Sequence, residues 1–451
     1  MSIFKSPKTA FVTLLLSVII FSSGSQERGS EWRKNRRISQ RREIPVLNAG
    51  QPFRAQGPRY SKTDILVKFK PTVYRQWAET AIAAYGARTE RVISGLNIYK
   101  VRIPGGASVE TLVRAMLQNP NVEHAELDYI AHISVTPNDT LFKLQYALYN
   151  TGQEIGIPGS PQGRNRADIK ATAAWEETKG NADTVIAILD TGLDLLHPDI
   201  KNKIKSAGRD IVNDDFVATD DNGHGTFVAG IAAAETNNNV GIAGVAWNAK
   251  ILPVKVVDED GSGFYDWIIE GIKWAADNGA DVINLSLGGE EASQFLLDAL
   301  KYAFDKKVVI VASAGNDDTG VYYPAAYDDY VLAVSATDYN DARPDWGNKG
   351  AQVDVAAPGV RIVSLVPTWF FGPGSLPYGF GEGTSASAPH VAGLAALLRG
   401  IKPWLRVSEI MDVIRFSADD VNSAEHPGKD DFIGYGRINM EKALVPIKIT
   451  K

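Results

Sequence analysis

No cysteine occurs among the 451 residues. That excludes a thiol nucleophile, a thiolate zinc site, an iron–sulfur cluster and a disulfide framework. It leaves export open, because a large domain can do without disulfide staples. Histidine is scarce, at six, so few side chains are available as a base near neutral pH. No apolar run reaches the roughly 20 residues that a membrane-spanning helix needs. No Gly-x-Gly-x-x-Gly follows a strand-like run, which argues against a nucleotide-binding oxidoreductase. No Gly-x-Ser-x-Gly elbow marks the chain as an α/β-hydrolase. Internal repeats and low-complexity tracts are missing as well.

What is present is ordinary in bulk and uneven in distribution. Hydrophobic residues make up 44% and charged residues 22%, enough for a large core with accessory segments. The first 134 residues hold 20 Lys and Arg against 10 Asp and Glu; the remainder hold 27 against 43. A basic front part could attract an acidic back part, or the two could simply differ in composition.

The chain begins like an export signal. Lys5 and Lys8 precede an apolar run from Ala10 to Phe21, broken by Thr13 and Ser17, and small residues Ser22, Ser23 and Gly24 follow. Residues 1–24 are therefore expected to be a signal peptide, with an uncleaved anchor as the alternative. Residues 25–62 are Arg-rich and read as a solvated basic linker rather than a nucleic-acid arm. Residues 63–134 look like a small α+β unit. Asp64–Phe69 and Leu96–Val101 alternate like strands, Tyr74–Tyr85 and Ser108–Leu117 are helix-like, and Val122–Ile133 is extended. From Thr184, short Val- and Ile-rich runs at Thr184–Leu189, Ile251–Val256, Asp281–Leu285, Val308–Ala312 and Val331–Ser335 alternate with helical stretches such as Tyr265–Asn278 and Ser293–Phe304. Buried parallel strands alternating with helices predict a doubly wound α/β domain over residues 135–451.

Three segments carry chemistry. In Val185-Ile186-Ala187-Ile188-Leu189-Asp190-Thr191-Gly192 a buried strand ends in an aspartate, at the end of an open sheet that faces the ligand crevice. Taken alone, Asp190 reads equally as a turn former or a helix cap. In Asn222-Gly223-His224-Gly225-Thr226 a histidine between glycines leads into an apolar helix. It reads as a base or as a hydrogen-bonded turn histidine. In Gly383-Thr384-Ser385-Ala386-Ser387-Ala388-Pro389-His390 a serine opens a helix, whose free N–H groups suit an oxyanion beside a nucleophile. Ser385 could also be only an N-cap. Together they supply a nucleophile, its base and the group that orients the base. Their chain order, Asp then His then Ser, is the subtilisin order.

On these segments and their spacing over about 300 residues, the chain resembles the subtilisin-like serine proteases, near their thermitase-like branch. The resemblance implies an Asp190–His224–Ser385 triad that hydrolyses peptide bonds through an acyl-enzyme. Val311-Ala312-Ser313-Ala314-Gly315-Asn316 matches the segment ending in the oxyanion-hole asparagine, which makes Asn316 a donor. Ser286, Leu287 and Gly288 match the strand that pairs with the substrate backbone, and Gly261 and Gly263 match the opposing strand. Main-chain pairing on both sides favours an endopeptidase of broad taste. The resemblance also implies structural Ca²⁺ held by Asp139, Asp199, the side chain of Asn238 and the backbone around Thr236, Val240 and Ile242. The cluster Asp214, Asp215, Asp220 and Asp221 reads as a weaker metal site or as a solvated loop.

Residues 63–134 resemble the inhibitory propeptide of the family, which acts as intramolecular inhibitor and chaperone, with autocleavage expected near Ser134. The implied product is a secreted monomer, extracellular or periplasmic, that acts on polypeptides and binds no nucleic acid. Four positions depart from the pattern. Ala386 stands where Met is common, and Phe227 where His is common. Tyr322 falls near the base of the first specificity pocket and Asp317 near its rim. A silent scaffold on this fold is disfavoured because all four catalytic positions are present. A kexin-type processing enzyme is disfavoured because about 50 residues after the Ser385 helix are too few for a further β-domain.

Overall fold

The computed structural model describes residues 60–129, 135–156, 159–370 and 375–444. The expected signal peptide, most of the basic linker and the expected cleavage point near Ser134 lie outside the described residues. The described chain falls into two units, one within Asn48–Ser134 and one from Val135 onward.

The smaller unit is a four-stranded antiparallel sheet in the order β2-β3-β1-β4, with two helices. Its elements are β1 (Tyr60–Phe69), α1 (Arg75–Ala83), β2 (Arg88–Ile93), β3 (Ile98–Arg102), α2 (Val109–Leu117) and β4 (Val122–Tyr129). Alternation along β1 and β3 sends Ile65, Val67, Phe69, Tyr99 and Val101 into a core with Ile82 and Met116. The opposite residues form cross-strand ion pairs, Arg102 with Asp64 at 2.9 Å and Lys100 with Asp128 at 2.8 Å. Ser108 caps α2, accepting from the Thr111 amide. Strand β1 starts four residues before the sequence signal, and β2, too polar to alternate clearly, carried no signal at all.

The larger unit is built on a seven-stranded sheet in the order β11-β10-β9-β8-β5-β7-β6, parallel throughout. These strands are β5 (Val185–Asp190), β6 (Arg209–Asp210), β7 (Lys250–Lys255), β8 (Val282–Leu285), β9 (Val309–Ser313), β10 (Val331–Thr337) and β11 (Val355–Pro358). Alternation along β5 splits the core in two. Ile186 and Ile188 join one apolar layer, Val185, Ala187 and Leu189 the other. The first layer is covered by α3 (Ala171–Glu177), α4 (His224–Ala233), α7 (Thr384–Ile401), α8 (Val407–Ser417) and α9 (Met440–Leu444). The second is covered by α5 (Tyr265–Asp277) and α6 (Gln294–Asp305). Helices on both faces of a parallel sheet make it doubly wound, as expected.

A short antiparallel pair, β12 (Ile362–Leu365) and β13 (Tyr378–Gly381), lies outside the main sheet and had no sequence signature. The segment Gly261–Gly263 is not a strand. Asp258 Oδ1 accepts the amides of Asp260 and Ser262, and the Asp258 amide donates to the Ser262 carbonyl, which closes the segment into a turn. Among the described residues no helix is long and apolar enough to cross a membrane.

Candidate active site

Three chain ends meet at the C-terminal edge of the sheet. Asp190 is the last residue of β5, and His224 is the first of α4. The His224 Nδ1–H donates to Asp190 Oδ1 at 2.7 Å, and the Thr191 amide donates to the same oxygen at 2.8 Å. Asp190 is 1% exposed, whereas the His224 side chain is 26% exposed, so the ring presents its outer edge to the cleft. Burial opposes the positive charge on this imidazole, but the Asp190 carboxylate outweighs it, with a smaller push from Asp220. The net effect raises its proton affinity above the ordinary histidine value.

Ser385 is the second residue of α7, whose N-cap Gly383 has φ +138°, a backbone that side chains disfavour. Pro389 sits one turn further on and lacks the N–H that would bond to the Ser385 carbonyl. That carbonyl instead accepts from Ser286 Oγ at 2.8 Å, which ties the residues after β8 to the nucleophile's own backbone. A cavity of about 160 Å³ is lined by His224, Ser385, Ser286, Leu287, Gly288 and Asn316, with Ser313, Gly315, Asp317 and Tyr322. His224 and Ser385 thus face one cleft. Among the described residues no hydrogen bond joins them, a looseness common before substrate is bound.

Asn316 follows β9. Its side-chain oxygen accepts from the Thr384 amide at 2.8 Å and from Thr384 Oγ1 at 2.9 Å. With the oxygen held, the amide nitrogen is the end left to donate into the cleft. Sequence reasoning passed over Thr384, although it adjoins Ser385; only the fold brings it to Asn316.

Tyr322 and Asp317 line the cleft beside Gly288, as their alignment suggested. Tyr322 Oη lies 2.9 Å from Asp317 Oδ2 and 3.3 Å from Glu290 Oε1. A Cβ on Gly288 would stand 3.1 Å from Tyr322 Cβ, so the ring closes on this wall. Gly261 and Gly263 do not line this cavity. Both are exposed, and a Cβ on Gly263 would stand 2.6 Å from the Val256 carbonyl.

The residues expected to hold Ca²⁺ do converge. Asp139 accepts the Asn237 amide at 2.8 Å. Asp199 accepts from Asn238 Nδ2 at 2.7 Å and from the Ile242 amide at 2.9 Å. Both carboxylates are buried, and desolvation raises the pKa of each, that of Asp199 to about 7 with Asp139 adding to it. Among the described residues no cation pairs with either, and no hydrogen bond reaches the carbonyls of Thr236, Val240 or Ile242. Two uncompensated carboxylates beside free carbonyls are a donor set for a hard cation. Among the described residues no group of three or more His, Asp or Glu side chains forms a metal cage.

The cluster Asp214, Asp215, Asp220 and Asp221 divides: Asp214, Asp215 and Asp221 are exposed, as in a solvated loop, and Asp220 is buried. Asp214 pairs with Arg209 and Asp221 with Lys255, the latter at 2.7 Å. The Asp215 side chain caps its own turn at the Val217 amide. Asp220 is 1% exposed and fully engaged by neighbouring donors.

A buried Asp–His pair at the carboxyl edge of a doubly wound sheet, beside a serine that opens a helix, defines a subtilisin-like hydrolase. The subtilase family profile matches residues 181–436, and that of the fervidolysin N-terminal prodomain matches residues 48–128. The thermophilic serine proteinase of Bacillus sp. (strain AK1) is 39% identical over 391 residues, which is 85% of this chain and 88% of that protein. Thermitase of Thermoactinomyces vulgaris is 43% identical over 277 residues, 61% of this chain and 93% of thermitase. A solved protease from Pseudoalteromonas arctica PAMC 21717 superposes with TM-score 0.59 at 30% identity, covering 69% of this chain and 99% of that one. The chain belongs to the subtilase family; it is a serine protease with an N-terminal prodomain.

Proposed function

We propose that the protein is a secreted serine endopeptidase, made as an autoprocessed precursor, in which Asp190, His224 and Ser385 form the triad. The observation that carries this reading is the His224–Asp190 hydrogen bond at the mouth of a cleft shared with Ser385 and Asn316. Ser385 Oγ attacks the scissile carbonyl while His224 Nε2 takes its proton. Asp190, bonded to Nδ1–H, holds the ring in the tautomer that leaves Nε2 free. The oxyanion is received by Asn316 Nδ2 and the Ser385 amide, and His224 then protonates the leaving amine. Water repeats the sequence on the acyl-enzyme.

Substrate lies extended along Ser286–Gly288, with Gly288 and Tyr322 lining the pocket for the residue before the scissile bond, which the Tyr322 ring makes shallow. Residues 63–134 act as inhibitor and folding aid until cleavage near Ser134. The basic start and apolar run of residues 1–24 support export, extracellular or periplasmic. Asp139, Asp199, Asn238 and the carbonyls of Thr236, Val240 and Ile242 would hold Ca²⁺, whose charge would offset the two buried carboxylates. A fluorophosphonate probe tests the reading. Labelling of Ser385, lost in Ser385→Ala together with peptide hydrolysis, is expected. Unlabelled Ser385 in folded, processed protein sinks it.

A further inference from the structure

One buried carboxylate outside the triad converges on both of the triad's fixed members. Asp220 Oδ1 accepts from Thr191 Oγ1 at 2.8 Å, the Gly223 amide at 2.8 Å and the Asn222 amide at 3.0 Å. Its Oδ2 accepts from Thr226 Oγ1 at 2.6 Å and the Thr226 amide at 2.9 Å. Thr191 follows Asp190 and donates its amide to that carboxylate, and its hydroxyl in turn accepts the Gly225 amide at 2.9 Å. Gly223, Gly225 and Thr226 bracket His224. Five donors on one carboxylate are more than a turn needs to close, and no cation is among them.

We propose that Asp220 is a positioning residue for the triad, locking the His224 turn to the Asp190 strand end and turning a second negative charge toward the imidazole. Two consequences follow, and they separate. The hydrogen bonds fix the distance between ring and Asp190, which acts on kcat because the ring works only in the transition state. The charge stabilises the imidazolium. Burial disfavours that form, Asp190 favours it, and Asp220 adds to Asp190. The other charged neighbours are already engaged. Lys255 on β7 is held by Asp221 and by the carbonyls of Thr191 and Val257, and Asp194 accepts from Thr368.

The inference rests on the protease reading, and the pH dependence of kcat/KM on a peptide amide substrate tests it. Asp220→Asn keeps the size, removes the charge and replaces one accepting oxygen with an NH2 donor. Its acid limb is expected to move down by about half a unit, the size of one screened charge beyond hydrogen-bonding reach. Thr226→Val keeps the charge and removes the hydroxyl that donates to Asp220 and accepts the Asp194 amide. Its acid limb is expected to stay in place while kcat falls about three- to tenfold at unchanged KM. A purely structural role would lower the yield of active enzyme and move neither the limb nor kcat per active site. An unmoved limb in Asp220→Asn, or parental kcat in Thr226→Val, overturns the proposal. If Asp220→Asn gives no soluble enzyme, Thr226→Val decides alone. A parent that neither hydrolyses peptide nor takes the fluorophosphonate sinks both readings, whereas an active parent with unresponsive variants sinks only this one.

Discussion

Gly225 is where the smallest side chain change should do the most damage to the site. A Cβ there would stand 2.2 Å from the Gly192 carbonyl oxygen, 3.1 Å from the Gly192 nitrogen and 3.2 Å from Asp190 Cβ. All three contacts belong to the end of β5 and the turn after it, and the nearest is backbone. An ordinary carbon–oxygen contact is about 3.3 Å, so Gly225→Ala must part this turn from the start of α4 by about 1 Å. The same displacement takes the His224–Asp190 hydrogen bond from 2.7 Å to a separation beyond hydrogen-bonding reach. Misplacement by that amount costs about 100-fold in turnover. Overpacking adds about 1–3 kcal/mol of destabilisation, roughly 2–4 °C per kcal/mol in a domain of this size. Gly347→Ala is the control, since its Cβ would meet nothing closer than 3.5 Å. Steady-state kinetics on a peptide amide and thermal unfolding of both variants make the assay. Gly225→Ala with kcat within threefold of the parent would refute the argument that this glycine sets the spacing of base and orienting carboxylate.

Further outcomes follow from the same geometry. The base must be neutral to act, and Asp190 raises its proton affinity, so the acid limb of kcat/KM should lie above the ordinary histidine value of 6.5; a limb below that value contradicts the Asp190 effect. Chelation should lower the unfolding temperature. At calcium 100 times Kd the ion contributes about 2.7 kcal/mol, or roughly 5–10 °C, and Asp199→Ala should no longer respond. An unfolding temperature indifferent to chelator argues against the Asp139–Asp199 site. Dilute peroxide should leave activity intact, because Ala386 adjoins the nucleophile and Met116, Met411 and Met440 are all buried. Rapid inactivation in a timed peroxide challenge would show an oxidisable group at the site.

Much of the protein was legible in the order of its residues. Period-two and continuous apolar runs marked β5, β7, β8, β9 and β10, because buried parallel strands must be apolar on both faces. Asp190, His224, Ser385 and Asn316 each stood in a short local pattern of glycines and small residues beside such a run. Strands β2, β6, β11, β12 and β13 were not legible, being polar, very short or dependent on a partner far along the chain. The turn form of Gly261–Gly263 was not legible, since it is the Asp258 side chain that closes it. In the acidic cluster the sequence left Asp220 indistinguishable from its exposed neighbours. Charge runs look alike in sequence, and only packing delivered Asp221 to Lys255, and Asp220 to Thr191 and the His224 turn.

By itself, then, the sequence determined which groups the chain owns and which strand or helix end carries each, because those depend on neighbours within a few residues. Orientation belonged to the tertiary structure. Thr384 aims the Asn316 amide across 68 residues, and Ser286 takes up the Ser385 carbonyl that Pro389 leaves free across 99. Hydrogen bonds of that reach exist only once the sheet has brought distant strand ends to one edge, and no local pattern encodes them.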